Sequence, residues 1–171
     1  MSKRDLKKYL TELSKEQIQE QILELYAKFP DVKIYYDFVF NPNEEKLQRE
    51  AKIKISNEYF PTKSKRPKAR RSTSQKIIKH FLSLGVDAFV TADVMLYTIE
   101  IAQVFSESNR INNEAFYKSF LNSFNQSVSF MIEKGILDDF KIRLHNIVSL
   151  TIKQKWPNQY EFNAILERLD Y

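Results

Sequence analysis

Apolar residues recur at helical spacing from one end of the chain to the other. Leu6, Tyr9, Leu10 and Leu13 fall at i, i+3, i+4 and i+7, which predicts a first helix capped by Ser2. Ser14 with Gln17 makes a capping-box pattern that opens a second helix. Its apolar face is Ile18, Ile22, Leu25 and Phe29, and Pro30 ends it. Asp31 is the expected cap of a third helix carrying Ile34, Tyr35, Phe38 and Val39, which stops at Asn41-Pro42. A fourth runs from about Asn43 to Phe60, with Leu47, Ala51 and Ile55 on one face. Ser74 is expected to cap a fifth helix through Leu84, with Gly85 where a terminating glycine belongs. Asp87 opens a long helix to about Phe105. Asn113 opens the next, to Lys134, with Phe116, Phe120, Phe124 and Val128 in one stripe and Gly135 after it. Asp138 or Asp139 opens a helix through Lys155 that stops before Pro157, and Asn158 caps the last, to Leu169.

No segment alternates like a strand over more than four residues. The expected fold is therefore all-α: about nine helices in stacked antiparallel hairpins or an irregular bundle, without a sheet. No fixed repeat period is visible. Ile22, Leu25, Met95, Ile99, Phe120, Phe124 and Ile147 are expected in the core.

Composition narrows the chemistry. The 171 residues include only two glycines and no cysteine. Phosphate loops and dinucleotide fingerprints need glycine where backbone must approach a ligand, so they are excluded. Disulfides, a thiol nucleophile and zinc–thiolate or iron–sulfur sites are excluded as well. A di-iron bundle needs Glu three positions before His. Positions 77 and 142, three before His80 and His145, are both Ile. Those two histidines lie too far apart for a zincin motif. Arg71 precedes His80 by nine positions and Arg143 precedes His145 by two, which leaves small helical ribonucleases without support. No cofactor, metal or catalytic residue is expected, and the reading leans away from an enzyme.

The formal net charge is +5, and one short segment supplies it. Lys63, Lys65, Arg66, Lys68, Arg70 and Arg71 place six positive charges in nine residues with no acid among them. Without them, 21 basic residues face 22 acidic ones. Pro61, Pro67 and several hydroxyl residues share the stretch, so 61–73 reads as a connector between helical parts at 1–60 and 74–171. Clustered Lys and Arg offer sequence-independent affinity for phosphates, but no aromatic is interleaved for base stacking. The charged N-terminus lacks a secretory signal, and Asp93 interrupts the longest apolar run, Ala88 to Ile99. Cytoplasmic residence without membrane association is the expectation.

The stretches Ser2-Lys-Arg-Asp-Leu-Lys-Lys-Tyr-Leu, Tyr35-Tyr-Asp-Phe-Val-Phe-Asn-Pro, Arg66-Pro-Lys-Ala-Arg-Arg-Ser, Met95-Leu-Tyr-Thr-Ile-Glu-Ile-Ala-Gln and Gln154-Lys-Trp-Pro-Asn resemble a bacterial family catalogued as a domain of unknown function. The resemblance covers nearly the full length and implies no activity, cofactor or catalytic residue. Separately, Leu10 to Ile18 followed by Leu23-Glu-Leu-Tyr looks like the opening hairpin of several helical-repeat proteins.

One polar stripe interrupts the most apolar helix. Asp93, Tyr97, Glu100, Gln103 and Glu107 fall on one face, either along a narrow solvent strip or in a cleft where Glu100 has a raised pKa or pairs with an Arg such as Arg143. Trp156 beside Pro157 is expected to pack against a helix end. These features favour a non-enzymatic helical interaction or scaffold protein with a protein partner. The alternative is a nucleic-acid- or ribosome-associated protein that binds phosphates through 63–71.

Overall fold

The computed structural model describes residues 2–62 and 66–169. Among them are nine helices and no strand: α1 (Lys3–Thr11), α2 (Lys15–Lys28), α3 (Pro30–Phe40), α4 (Glu44–Tyr59), α5 (Arg71–Leu84), α6 (Ala88–Ser108), α7 (Glu114–Lys134), α8 (Leu137–Lys153) and α9 (Gln159–Glu167). They form two compact units, Met1–Asn43 and Glu44–Tyr171.

In the first unit, α2 and α3 pair as a hairpin. Capping boxes close the starts of both α1 and α2. The Ser2 side chain accepts from the Asp5 N–H, Ser14 does the same for Gln17, and each partner side chain reaches back to the cap. Pro30 does more than end α2. It occupies the first turn of α3, where a missing N–H costs nothing, so Phe29 serves as the junction of both helices and Asp31 lies inside α3 rather than capping it. The hairpin is tied by the Tyr26 hydroxyl donating to Asp37 at 2.7 Å. No residue of α1–α3 is buried. Ile22 and Leu25 were expected in the core; they are 38% and 44% exposed. Three short helices carry too little apolar surface to enclose a side chain.

The second unit is built around α6, which packs against α4, α5, α7 and α8. Ala92, Val94, Leu96, Ile99 and Ala102 of α6 are fully enclosed. Asp87 caps α6 through the Phe89 and Val90 N–H groups. By length and composition α6 could also cross a membrane, and half of that stretch is buried inside the protein. α4 sits in this unit, against α5 and α6, although its sequence reads with the N-terminal part. α9 folds back on α7 and α8. The core expectations hold here, since Met95, Ile99, Phe120, Phe124 and Ile147 are all buried.

Both glycines sit in the left-handed region, Gly85 at φ 72° after α5 and Gly135 at φ 68° after α7. Each turn is closed by a six-to-one backbone bond, from Val86 to Phe81 and from Ile136 to Met131. The end of α8 makes the same turn with Lys155 at φ 54° and the Trp156 N–H on the Thr151 carbonyl. That turn drives the Trp156 ring among Phe116, Tyr117, Phe120 and Phe162, at centroid distances of 5.2–6.3 Å. Its indole N–H donates to Ser106 Oγ at 3.2 Å and Gln154 Oε1 at 2.9 Å. Asn158 does not cap α9 with its side chain; its amide donates to the Tyr117 carbonyl at 2.9 Å instead.

Candidate functional site

The chain enters α5 under tight control from Glu58 at the end of α4. The Glu58 carbonyl accepts from Lys68 and Ala69 N–H groups at 2.9 and 2.8 Å. Its carboxylate takes a two-pronged contact from Arg70, both bonds at 3.0 Å, and the Thr73 hydroxyl at 3.0 Å. The Arg70 hydrogen bond, aided by Thr73 and by nearby positive charge, holds the Glu58 carboxyl below its ordinary range against the opposing effect of burial. α5 therefore begins at Arg71, three residues before the expected cap. Ser74 is buried and turns its hydroxyl to the Arg71 carbonyl at 2.8 Å.

Arg71 points toward α7. Its Nε donates to Ser123 Oγ at 2.6 Å and its Nη2 to Gln126 Oε1 at 3.0 Å, both on α7. With the Gln75 amide oxygen turned toward it, two more contacts form at 2.9 and 3.1 Å. All these acceptors are neutral. No carboxylate among the described residues pairs with Arg71, and burial lowers its proton affinity from the ordinary value while leaving it charged.

The six basic residues thus have different fates. Arg66 and Lys68 are exposed, Arg70 is spent on Glu58, and Arg71 is spent on α7. Lys63 and Lys65 lie outside the described residues.

Arg71 stands at one end of a groove of about 640 Å³ between α5 and α7. Both helices pack on α6, and Met95 of α6 forms part of the floor. Ile78, Leu82 and Phe130 make the walls apolar, while Lys76, Lys79 and Gln126 stand at the rim. Among the described residues Glu133 is the single acid of the lining, and Lys134 lies 3.3 Å from it. Sequence reading passed over this groove. A signal for one wall was present: Ser119, Ser123 and Ser127 recur every fourth residue of α7, beside the Phe stripe. Small hydroxyls that bond back to the preceding turn leave room next to a helix, as Ser127 does on the Ser123 carbonyl.

The polar stripe of α6 is partly exposed, and Glu100 in it pairs with Arg143. The stripe is an interhelical seam. Arg143 of α8 grips Glu100 with two bonds and donates to Asp93 Oδ1 at 2.7 Å. Asp93 also takes Lys52 Nζ at 2.6 Å and Gln48 Nε2 at 2.7 Å from α4. Burial alone would raise the Asp93 carboxyl, but bonds from Lys52 and Arg143 outweigh it and hold the group below its usual range. Further along, Gln103 is buried and donates to the Ile147 carbonyl and Thr151 Oγ1, both at 2.8 Å. The seam joins α4, α6 and α8 with its charges already answered.

Among the described residues no three His, Asp or Glu side chains gather in a metal-binding group, and both His80 and His145 are exposed. No curated protein and no solved structure matches the chain. A family of unknown function, DUF6155, matches residues 1–170, and the chain belongs to that family.

Proposed function

We propose that the protein is a non-enzymatic helical interaction protein whose second unit seats a segment of a protein partner in the α5/α7 groove. One observation carries this reading: the groove has an apolar floor and a polar rim, the profile of surfaces that receive an amphipathic segment. The ionic seam supports the non-enzymatic part. Asp93 is held below its usual carboxylate range with both oxygens occupied, and Arg143 takes both oxygens of Glu100, so neither carboxylate is open to a substrate.

A photo-crosslinking amino acid tests it. Placed at Leu82 in the groove, it is expected to yield a discrete protein adduct in cells; placed at Ile142, an exposed residue of α8 outside the groove, it is expected to yield none. No adduct at Leu82, or equal labelling at both positions, would overturn the reading.

A second reading, phosphate binding through the basic segment, draws on Arg66 and Lys68, which are exposed with Lys63 and Lys65 close by in sequence. It predicts adducts to nucleic acid rather than protein, and an affinity for RNA that falls steeply with salt.

A further inference from the structure

We infer that the occupant of the α5/α7 groove is an acidic amphipathic peptide segment, with one of its carboxylates docked on Arg71. This rests on the groove being a partner seat and adds the chemistry of the partner.

Charge is the first argument. A guanidinium that is partly withdrawn from water and hydrogen-bonded to Ser123, Gln126 and Gln75, with the Tyr59 hydroxyl nearby, has its hydrogen bonds but no carboxylate among the described residues as counter-charge. Lys76 and Lys79 lie on the same side of the groove, and no carboxylate of the described residues pairs with either. Three cations against Glu133 leave the lining positive, whereas the nearby seam on α6 balances its charges internally. A carboxylate arriving at Arg71 meets a positive charge that no acid of the described residues answers, on a guanidinium held in place by α7.

Shape is the second argument. Ile78, Leu82, Met95 and Phe130 offer an apolar trough that a peptide fills with side chains spaced three or four residues apart. A nucleic-acid backbone has nothing to bury there. Phe130 is the only ring among the described residues of the lining, too few for base stacking along a strand.

The test uses the full chain and fluorescent amphipathic peptides that share leucines at i, i+3, i+4 and i+7 and carry Glu, Gln or Lys at the polar positions. Anisotropy titration is expected to rank Glu above Gln above Lys. Arg71→Gln is expected to weaken the Glu peptide at least about tenfold and to erase the ranking at its docking carboxylate. Lys76→Glu with Lys79→Glu changes two exposed side chains, so folding is expected to be kept while the preference for Glu over Lys is lost. Equal binding of all three peptides, binding unaffected by either variant, or no binding of the Glu peptide would overturn the inference. Uptake of a fatty acid with no peptide binding would overturn it too. If the Leu82 crosslink nevertheless captures a protein, the groove stands as a partner seat and only its acidic preference falls. If both fail, the groove reading itself is lost.

Discussion

Arg143 on α8 closes a planar fork on Glu100 of α6, with Nε 2.6 Å from Oε1 and Nη2 2.7 Å from Oε2. The same guanidinium reaches Asp93 two turns earlier on α6, so one cation answers two acids that would otherwise repel along the helix. Arg143→Ala leaves both partly enclosed carboxylates facing each other. A loss of about 1–3 kcal/mol is expected in urea unfolding, below the 3–5 kcal/mol of a fully buried pair because water still reaches these side chains. Arg143→Lys should recover little, since a point charge cannot serve both acids at once. A loss under about 0.5 kcal/mol for Arg143→Ala would show that the seam is held by α4 alone.

Asp93 should also mark the acid limb of stability. Its carboxyl is held below the unfolded value by Lys52 and Arg143, so its contribution is full above about pH 4 and declines as pH falls toward the lower folded value. Asp93→Asn is expected to destabilise the protein at neutral pH and to flatten the loss on acidification in that window. Parallel pH–stability curves for parent and variant would refute the assignment.

Core and surface should separate by unit. Phe120 is fully enclosed, 4.8 Å from the Phe116 ring, and Phe120→Ala is expected to cost about 3–5 kcal/mol. Ile22, which carries the same apolar periodicity in sequence, remains 38% exposed, and Ile22→Ala should cost about 1 kcal/mol or less. Chemical denaturation of both variants checks the contrast; equal losses would mean the first unit has a core of its own.

The basic segment should divide along its length. Arg66→Gln is expected to change stability by no more than about 0.5 kcal/mol, because the residue is exposed. Glu58→Ala removes the acceptor of both Arg70 and Thr73 and should cost about 1–3 kcal/mol. Neutral behaviour of Glu58→Ala would show that the entry to α5 needs no anchor.

Local signals in the sequence were legible wherever a single residue controls a helix end. Gly85 and Gly135 stop α5 and α7 because left-handed backbone suits glycine, and Ser2, Ser14, Asp87 and Asn113 cap as their types suggest. Where two signals competed, the choice needed tertiary structure. Ser74 has cap chemistry, but Glu58 seizes the chain before it and starts α5 at Arg71. Asn158 has it too, and its amide goes to Tyr117 on another helix. Pairing of Glu100 with Arg143 was one of the alternatives the stripe on α6 left open, and the choice depended on where α8 packs. The groove was not foreseeable, because it exists only where α5 and α7 lie side by side on α6 with small residues between them.

The position of Trp156 decides what light can say about this chain. It is the only tryptophan, it is 2% exposed, and its indole N–H is bonded within the second unit. Tryptophan emission therefore reports the melting of that unit and is blind to the α2–α3 hairpin, whose chromophores are tyrosines such as Tyr26 and Tyr35. Circular dichroism sees every helix in both. An emission trace that lags the dichroism trace during heating would be the hairpin unravelling in the dark, and coincident traces would mean that the two units melt as one.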